Sequence, residues 1–225
     1  QSLIHAFVSA EDHHFFSHPG ISLKGIVRSF LVNLYNRRIV QGASTITQQL
    51  ARCMMRSYQR TYLRKIQEIL LAFQLERQLS KEQIFEMYVN NIYFGPGIYG
   101  VQAACRRFWN KSCTEITVAQ AATLAAVAAS VNLFSPLHAP AGAVSRRNVI
   151  LKSMEKLGYI TPKEYKKASV EQLNMYSMAT LQIRHYLVEW IRAWAEERWG
   201  RETLYHDGLS IMTTMNGKMQ EHGEV

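Results

Sequence analysis

The chain has 225 residues, 48% of them hydrophobic and 11% aromatic, enough to bury a substantial core and to exclude a disordered tail. Its net charge of +9 is unevenly spread: from Ile21 to Ser80 ten basic residues (Lys24, Arg28, Arg37, Arg38, Arg52, Arg56, Arg60, Arg64, Lys65, Arg77) stand against only Glu68 and Glu76. Cys53, Cys105 and Cys113 are odd in number and lack CxxC spacing, which excludes a cysteine zinc site or a disulfide framework as the organising device.

Like charges gathered in one segment repel unless an anion neutralises them, so a polyanionic partner is expected: nucleic acid, membrane headgroups or a pyrophosphate substrate. In chain order, QSLIHAFVSAED reads as a short helix without a charged n-region or initiator Met; no signal peptide is visible, and the chain is expected to be an excised piece with any anchor outside it. Ser22 then caps a segment whose Ile26, Val27, Phe30, Leu34 and Tyr35 recur at helical steps, ending in the basic stretch NRRIVQGAS. Ser44 or Thr45 opens the next helix, through Gln49 to Met55. From Leu63, the spacing of Ile66, Ile69, Leu70 and Phe73 defines an apolar face, with Arg64, Lys65 and Glu68 on a neighbouring one.

Ser80 with Gln83, and Thr117 with Gln120, are capping-box signatures; Thr161, Pro162 and Glu164 combine cap, first-turn proline and N3 carboxylate. IYFGPGIYG, from Ile92 to Gly100, reads as a glycine-rich loop where backbone approaches a ligand, although no GK[ST] or dinucleotide spacing follows. The Ala-rich run from Val118 is broken by Gln120, Ser130 and Asn132, so a buried helix is expected there rather than a membrane span. HDGLSIMTTMNGKM is a β-leaning run around Leu209 to Met215.

Three stretches can carry chemistry. In SAEDHHFFSHPG, adjacent Glu11 and Asp12 are by themselves ordinary helix-end carboxylates, but Phe15 and Phe16 offer an apolar wall that raises a carboxyl pKa towards a useful range. His14 and His18 have a metal-compatible spacing, yet Pro19-Gly20 breaks the helix and no third ligand is evident. In GASTITQQLAR, Thr45, Gln48, Gln49 and Arg52 put amides and a guanidinium near a helix N-terminus, where exposed N–H groups already favour anions. In RKIQE, Arg64, Lys65 and Glu68 form either a surface ion pair or a site suited to a pyrophosphate.

Taken together these stretches resemble the glycosyltransferase family 51 domain, the peptidoglycan glycosyltransferase of class A penicillin-binding proteins and of monofunctional transglycosylases. EDxxFxxHxG is complete as Glu11, Asp12, Phe15, His18 and Gly20; GxSTxTQQ as Gly42, Ser44, Thr45, Thr47, Gln48 and Gln49; RKxxE as Arg64, Lys65 and Glu68. Tyr88 to Cys105 and Arg146 to Met154 look like the fourth and fifth motifs. The resemblance implies a mainly α, lysozyme-like fold with a smaller membrane-contacting subdomain, over residues 1–170. Residues 171–225 are then a C-terminal helix and β-leaning linker toward a possible second domain.

The resemblance further implies polymerisation of lipid II, with Glu11 the general base on the acceptor 4-hydroxyl. Glu68 would be the second carboxylate, supporting the leaving pyrophosphate directly or through a divalent ion, or assisting as an acid. Asp12, Phe15, His18, Ser44, Thr45, Gln48, Gln49, Arg52, Arg64 and Lys65 would bind substrate or shape its site. It implies no resident metal and no required cofactor, with Mg or Mn at the pyrophosphate left open. Expected partners are lipid II, the polyprenyl-pyrophosphate-linked glycan and the bacterial cytoplasmic membrane on its outer face, with cell-wall synthesis proteins as candidates and no nucleic acid. Cys53 in place of Asn, Gln120 in place of Glu, and AASVNLFSP without its usual proline-flanked turn depart from the pattern.

Two other readings compete. A lysozyme-like muralytic enzyme also sets a carboxylic acid beside sugars but does not need so many cations. A basic module for membranes or nucleic acid would give Glu11 no role. A transpeptidase within this chain is excluded, because no K[ST]G follows the loose SMEK and SVN matches.

Overall fold

The computed structural model describes residues 1–37, 42–55, 61–176, 185–206 and 211. Gln1–Met175 forms one compact unit and Tyr176–Val225 a second. Arg38, Arg56, Arg60 and the β-leaning run other than Ile211 lie outside the described residues.

The first unit is mainly α, as its periodicity predicts. In chain order its helices are α1 (Ser2–Glu11), α2 (Leu23–Asn36), α3 (Ile46–Met54), α4 (Tyr62–Gln78) and α5 (Lys81–Asn91), then α6 (Val101–Trp109), α7 (Val118–Ala129), α8 (Val131–Phe134), α9 (Pro140–Lys156) and α10 (Pro162–Ser169). A single 3-10 turn, Phe15–Ser17, interrupts the passage from α1 to α2. The boundaries follow side-chain chemistry: Thr45, Ser80, Thr117 and Thr161 each accept from the N3 amide while the N3 Gln or Glu returns to the cap, four complete capping boxes. Gln120 is one of those N3 groups, so glutamine serves there as glutamate would.

The core is built around α7. Its alanines let α1 and α9 approach closely, and Ala119 to Val127 are all buried. Phe7, Phe15, Phe85 and Tyr88 fill the adjoining layer, where α3 packs on α4 and α5. Arg147 of α9 is buried and donates to the carbonyls of Ser169 and Glu171 at 2.9 and 2.6 Å, which ties the end of α10 to the core.

One expectation changes. The glycine-rich loop is instead an antiparallel hairpin, β1 (Tyr93–Gly95) and β2 (Ile98–Tyr99), with Tyr93 opposite Tyr99 and Gly95 opposite Ile98. Gly100 closes it with φ +79, and a Cβ there would stand 2.7 Å from the Asn90 carbonyl oxygen, so the backbone approach is to α5. The apolar faces of α2 and α4 point outward: Ile66, Leu70 and Phe73 are 55%, 59% and 41% exposed, while Glu68, Ala72 and Leu75 take the buried side. Periodicity locates a face; it does not say what covers it.

The second unit contains α11, His185–His206, broken by the non-helical Gly200. Trp194 and Trp199 meet edge to face just before the break, at 5.1 Å between ring centroids.

Candidate active site

Glu11 is the last residue of α1 and projects into a cavity of about 190 Å³. Asp12, His14, Lys24, Arg28 and Ser44 are among the other residues lining it. Glu11 is half-buried, one side open to the cavity and its carboxyl set among protein atoms. Burial raises its pKa above the ordinary 4.5; a hydrogen bond from Gln49 and the charges of Arg146 and Arg52 pull the other way. Gln49 Nε2 donates to Glu11 Oε2 at 2.9 Å, and Gln49 Oε1 accepts from the Tyr88 hydroxyl at 3.2 Å. Tyr88 thereby fixes which end of the amide faces the carboxylate.

Asp12 turns the other way. Its Oδ2 accepts from His18 Nε2 at 2.8 Å and from the Ile46 N–H at 3.1 Å, the first residue of α3. The Gly20 N–H donates to His18 Nδ1 at 3.2 Å, so Nδ1 is the unprotonated nitrogen and Nε2 carries the hydrogen. With both ring nitrogens engaged, the His14 and His18 metal reading does not fit, and no cluster of three or more His, Cys, Asp or Glu exists among the described residues. Phe15 is fully buried against Phe85 and His18, a wall rather than a ligand contact.

Gly20 has φ +89, and a Cβ there would meet Glu76 Cγ at 3.0 Å, so a tight turn and close packing both require glycine. Its carbonyl accepts from Thr45 Oγ1 at 2.6 Å. Thr45 and Gln48 otherwise bond each other in the α3 capping box, so their part is to place the helix N-terminus beside Glu11. Arg52 is exposed one turn further along α3 and acts on Glu11 through charge.

The second carboxylate sits in a different setting. Glu68 is 1% exposed; its Oε2 accepts from Arg64 Nη1 at 2.6 Å and its Oε1 from Lys65 Nζ. Lys65 also donates to Ser44 Oγ at 3.1 Å, one residue before the α3 cap, which links this cluster to the first. A protein-held divalent ion does not fit, since among the described residues Glu68 is the only carboxylate in the cluster and both its oxygens already face cations.

Sequence reasoning missed Tyr88 and Arg146 as individual site residues, although both fall in stretches noted as motifs. Nothing in YVNN marks the tyrosine that orients an amide 39 positions earlier. Arg146 acts on Glu11 through charge and lies 5.9 Å from the Phe134 ring, while its Nε is buried without a partner.

The transglycosylase family model matches residues 1–155. The chain belongs to the transglycosylase family. Penicillin-binding protein 1A of Aquifex aeolicus (strain VF5) is 39% identical over 216 residues, covering 96% of this chain and 30% of that protein. Its counterpart in Escherichia coli (strain K12) is 38% identical over 221 residues, 97% of this chain and 26% of that protein. The chain therefore spans under a third of either relative. The crystal structure of penicillin-binding protein 1A from Haemophilus influenzae aligns with a TM-score of 0.47 at 23% identity, over 70% of this chain and 20% of that one. The family match takes in all three motif stretches, so Glu11, Gln49 and Glu68 all lie within the transglycosylase region.

Proposed function

We propose that this chain is a peptidoglycan glycosyltransferase that polymerises lipid II, with Glu11 as general base. The observation that carries the reading is the contrast at Glu11: a carboxylate desolvated enough to bind a proton more tightly than usual, oriented by a neutral amide, and facing a cavity that Lys24 and Arg28 make cationic. Glu11 takes the proton of the acceptor's 4-hydroxyl as that oxygen attacks the donor's anomeric carbon. The bond from that carbon to the phosphate oxygen breaks on the opposite face, giving inversion and releasing the polyprenyl pyrophosphate.

A base with a raised pKa drives proton abstraction harder than an ordinary carboxylate. Charge grows on the leaving phosphate, where Arg64 and Lys65 are preorganised by Glu68 to meet it. Glu68 in this account aims two cations rather than transferring a proton. A divalent ion, if the reaction uses one, would be held by the substrate's own phosphates.

The outward apolar faces of α2 and α4, beside basic residues of the same helices, support contact with an anionic membrane surface. In this reading the domain works on the outer face of the bacterial cytoplasmic membrane, where lipid-linked glycan substrates are expected. Among the described residues no helix is long and apolar enough to cross a membrane. Neither the muralytic nor the nucleic-acid reading has an observation in its favour. The test is incubation with labelled lipid II, separating polymer from hydrolysed sugar: polymer with release of lipid pyrophosphate is expected, and muropeptide hydrolysis without polymer would overturn the assignment.

A further inference from the structure

Outside the cavity, one largely buried ion pair has no part in the chemistry above. Lys81, the first residue of α5, donates to Glu76 Oε1 at 2.7 Å and to the His18 carbonyl at 2.7 Å, and its ammonium lies 4.6 Å from the centre of the Phe15 ring. Glu76 Oε1 also accepts from Thr47 Oγ1. The two charged side chains are only 18% and 10% exposed.

This placement joins three elements at one point. Glu76 lies two turns beyond Glu68 on α4, Thr47 lies two residues before Gln49 on α3, and Lys81 grips the loop that leads out of Glu11. A buried ion pair contributes little net stability over apolar residues of similar size, because desolvation offsets the attraction; what such a pair sets well is geometry.

We infer that Lys81 and Glu76 are positioning residues that fix where Glu11 lies against Gln49, an inference that rests on Glu11 being the base. The loop from Asp12 to Gly20 has two sets of anchors. Asp12 is fastened to α3, and the His18 to Gly20 end is fastened to α5 by Lys81 and to α3 by Thr45. Removing the Lys81 anchor leaves the His18 to Gly20 end held by Thr45 alone among these anchors, while keeping every residue that lines the cavity in the sequence. The loop then relaxes outward and water reaches the Glu11 carboxyl.

The experiment uses Lys81→Met, the double variant Lys81→Met/Glu76→Gln, in which no buried charge is left unpaired, and Lys81→Arg as the conservative rescue. Melting transitions establish that each protein is folded. The Glu11 carboxyl is titrated by carbon NMR without substrate, and kcat and KM are measured with lipid II. The groups facing Glu11 are the adjacent Asp12, Gln49 and Arg52 on α3, Tyr88 on α5 and Arg146 on α9, with His13, His14, Lys24 and Arg28 lining the same cavity. None is altered, so a shifted titration reports position.

In the two Met variants Glu11 is expected to titrate closer to 4.5 than in the parent. kcat should fall about 100-fold, the loss that a displacement of order 1 Å produces, with KM changed less than about twofold and Lys81→Arg restoring most of the rate. Folded variants that titrate and turn over like the parent would overturn the inference, and so would loss of the fold in both, which would make the pair part of the core. If the parent protein makes no polymer, the reading of Glu11 as base falls, whereas the titration still decides whether the pair positions the carboxyl.

Discussion

Two glutamates 57 positions apart in the chain are handled in opposite ways. Glu11 stands at a helix C-terminus beside a neutral amide, its pKa raised by desolvation, whereas Glu68 lies mid-helix with a cation on each oxygen. The same side chain becomes a proton acceptor in one setting and a holder of cations in the other. Environment, not residue type, assigns the roles.

The most severe way to break this contrast is Glu11→Gln, which keeps the Gln49 contact and removes the base. A fall in kcat of roughly 100- to 10,000-fold is expected, the range of general-base contributions, with the melting transition retained. Continuous lipid II kinetics check it. Next comes Glu68→Ala, which leaves Arg64 and Lys65 without their shared carboxylate. Removing one member of a fully buried pair costs about 3–5 kcal/mol, and the loss here should be smaller because Lys65 is partly exposed. Chemical denaturation measures it, and polymerisation should fall with it as the two cations lose their aim.

Thr45→Ala probes the link between the two ends. It removes the α3 cap and the donor to the Gly20 carbonyl, and should cost about 1–2 kcal/mol in unfolding free energy. Smallest in stability is Leu70→Glu on the exposed α4 face, expected within about 0.5 kcal/mol of the parent. It should nonetheless weaken co-sedimentation with anionic vesicles several-fold; unchanged binding would show that this face is not the membrane contact.

Much of this was legible before the structure. The three motif stretches, the mainly α class and the Thr117 and Thr161 caps follow from local chemistry that the chain states outright. Glu68 between Arg64 and Lys65 needed only helical spacing. What the sequence could not show are contacts between distant segments: Tyr88 on Gln49, Asp12 on the N-terminus of α3, and Lys81 on the His18 carbonyl. Nor could spacing alone show that the apolar stripe of α4 faces outward, because spacing is blind to what lies opposite. The hairpin at Tyr93 was hidden by glycines that read equally well as a loop.

The central claim is that Glu11 is the base and that desolvation tunes it. A carboxyl whose pKa is raised by folding holds its proton more tightly in the folded state, so stability falls as pH rises from the ordinary carboxylate range through the raised value. Glu11→Gln should therefore be more stable than the parent at neutral pH, a gain that disappears below pH 4.5. The most direct measurement is kcat/KM for lipid II against pH in the parent and in folded Glu11→Gln. The account predicts an acid limb above 4.5 in the parent and none in the residual activity of the variant. The same limb in both proteins would contradict it.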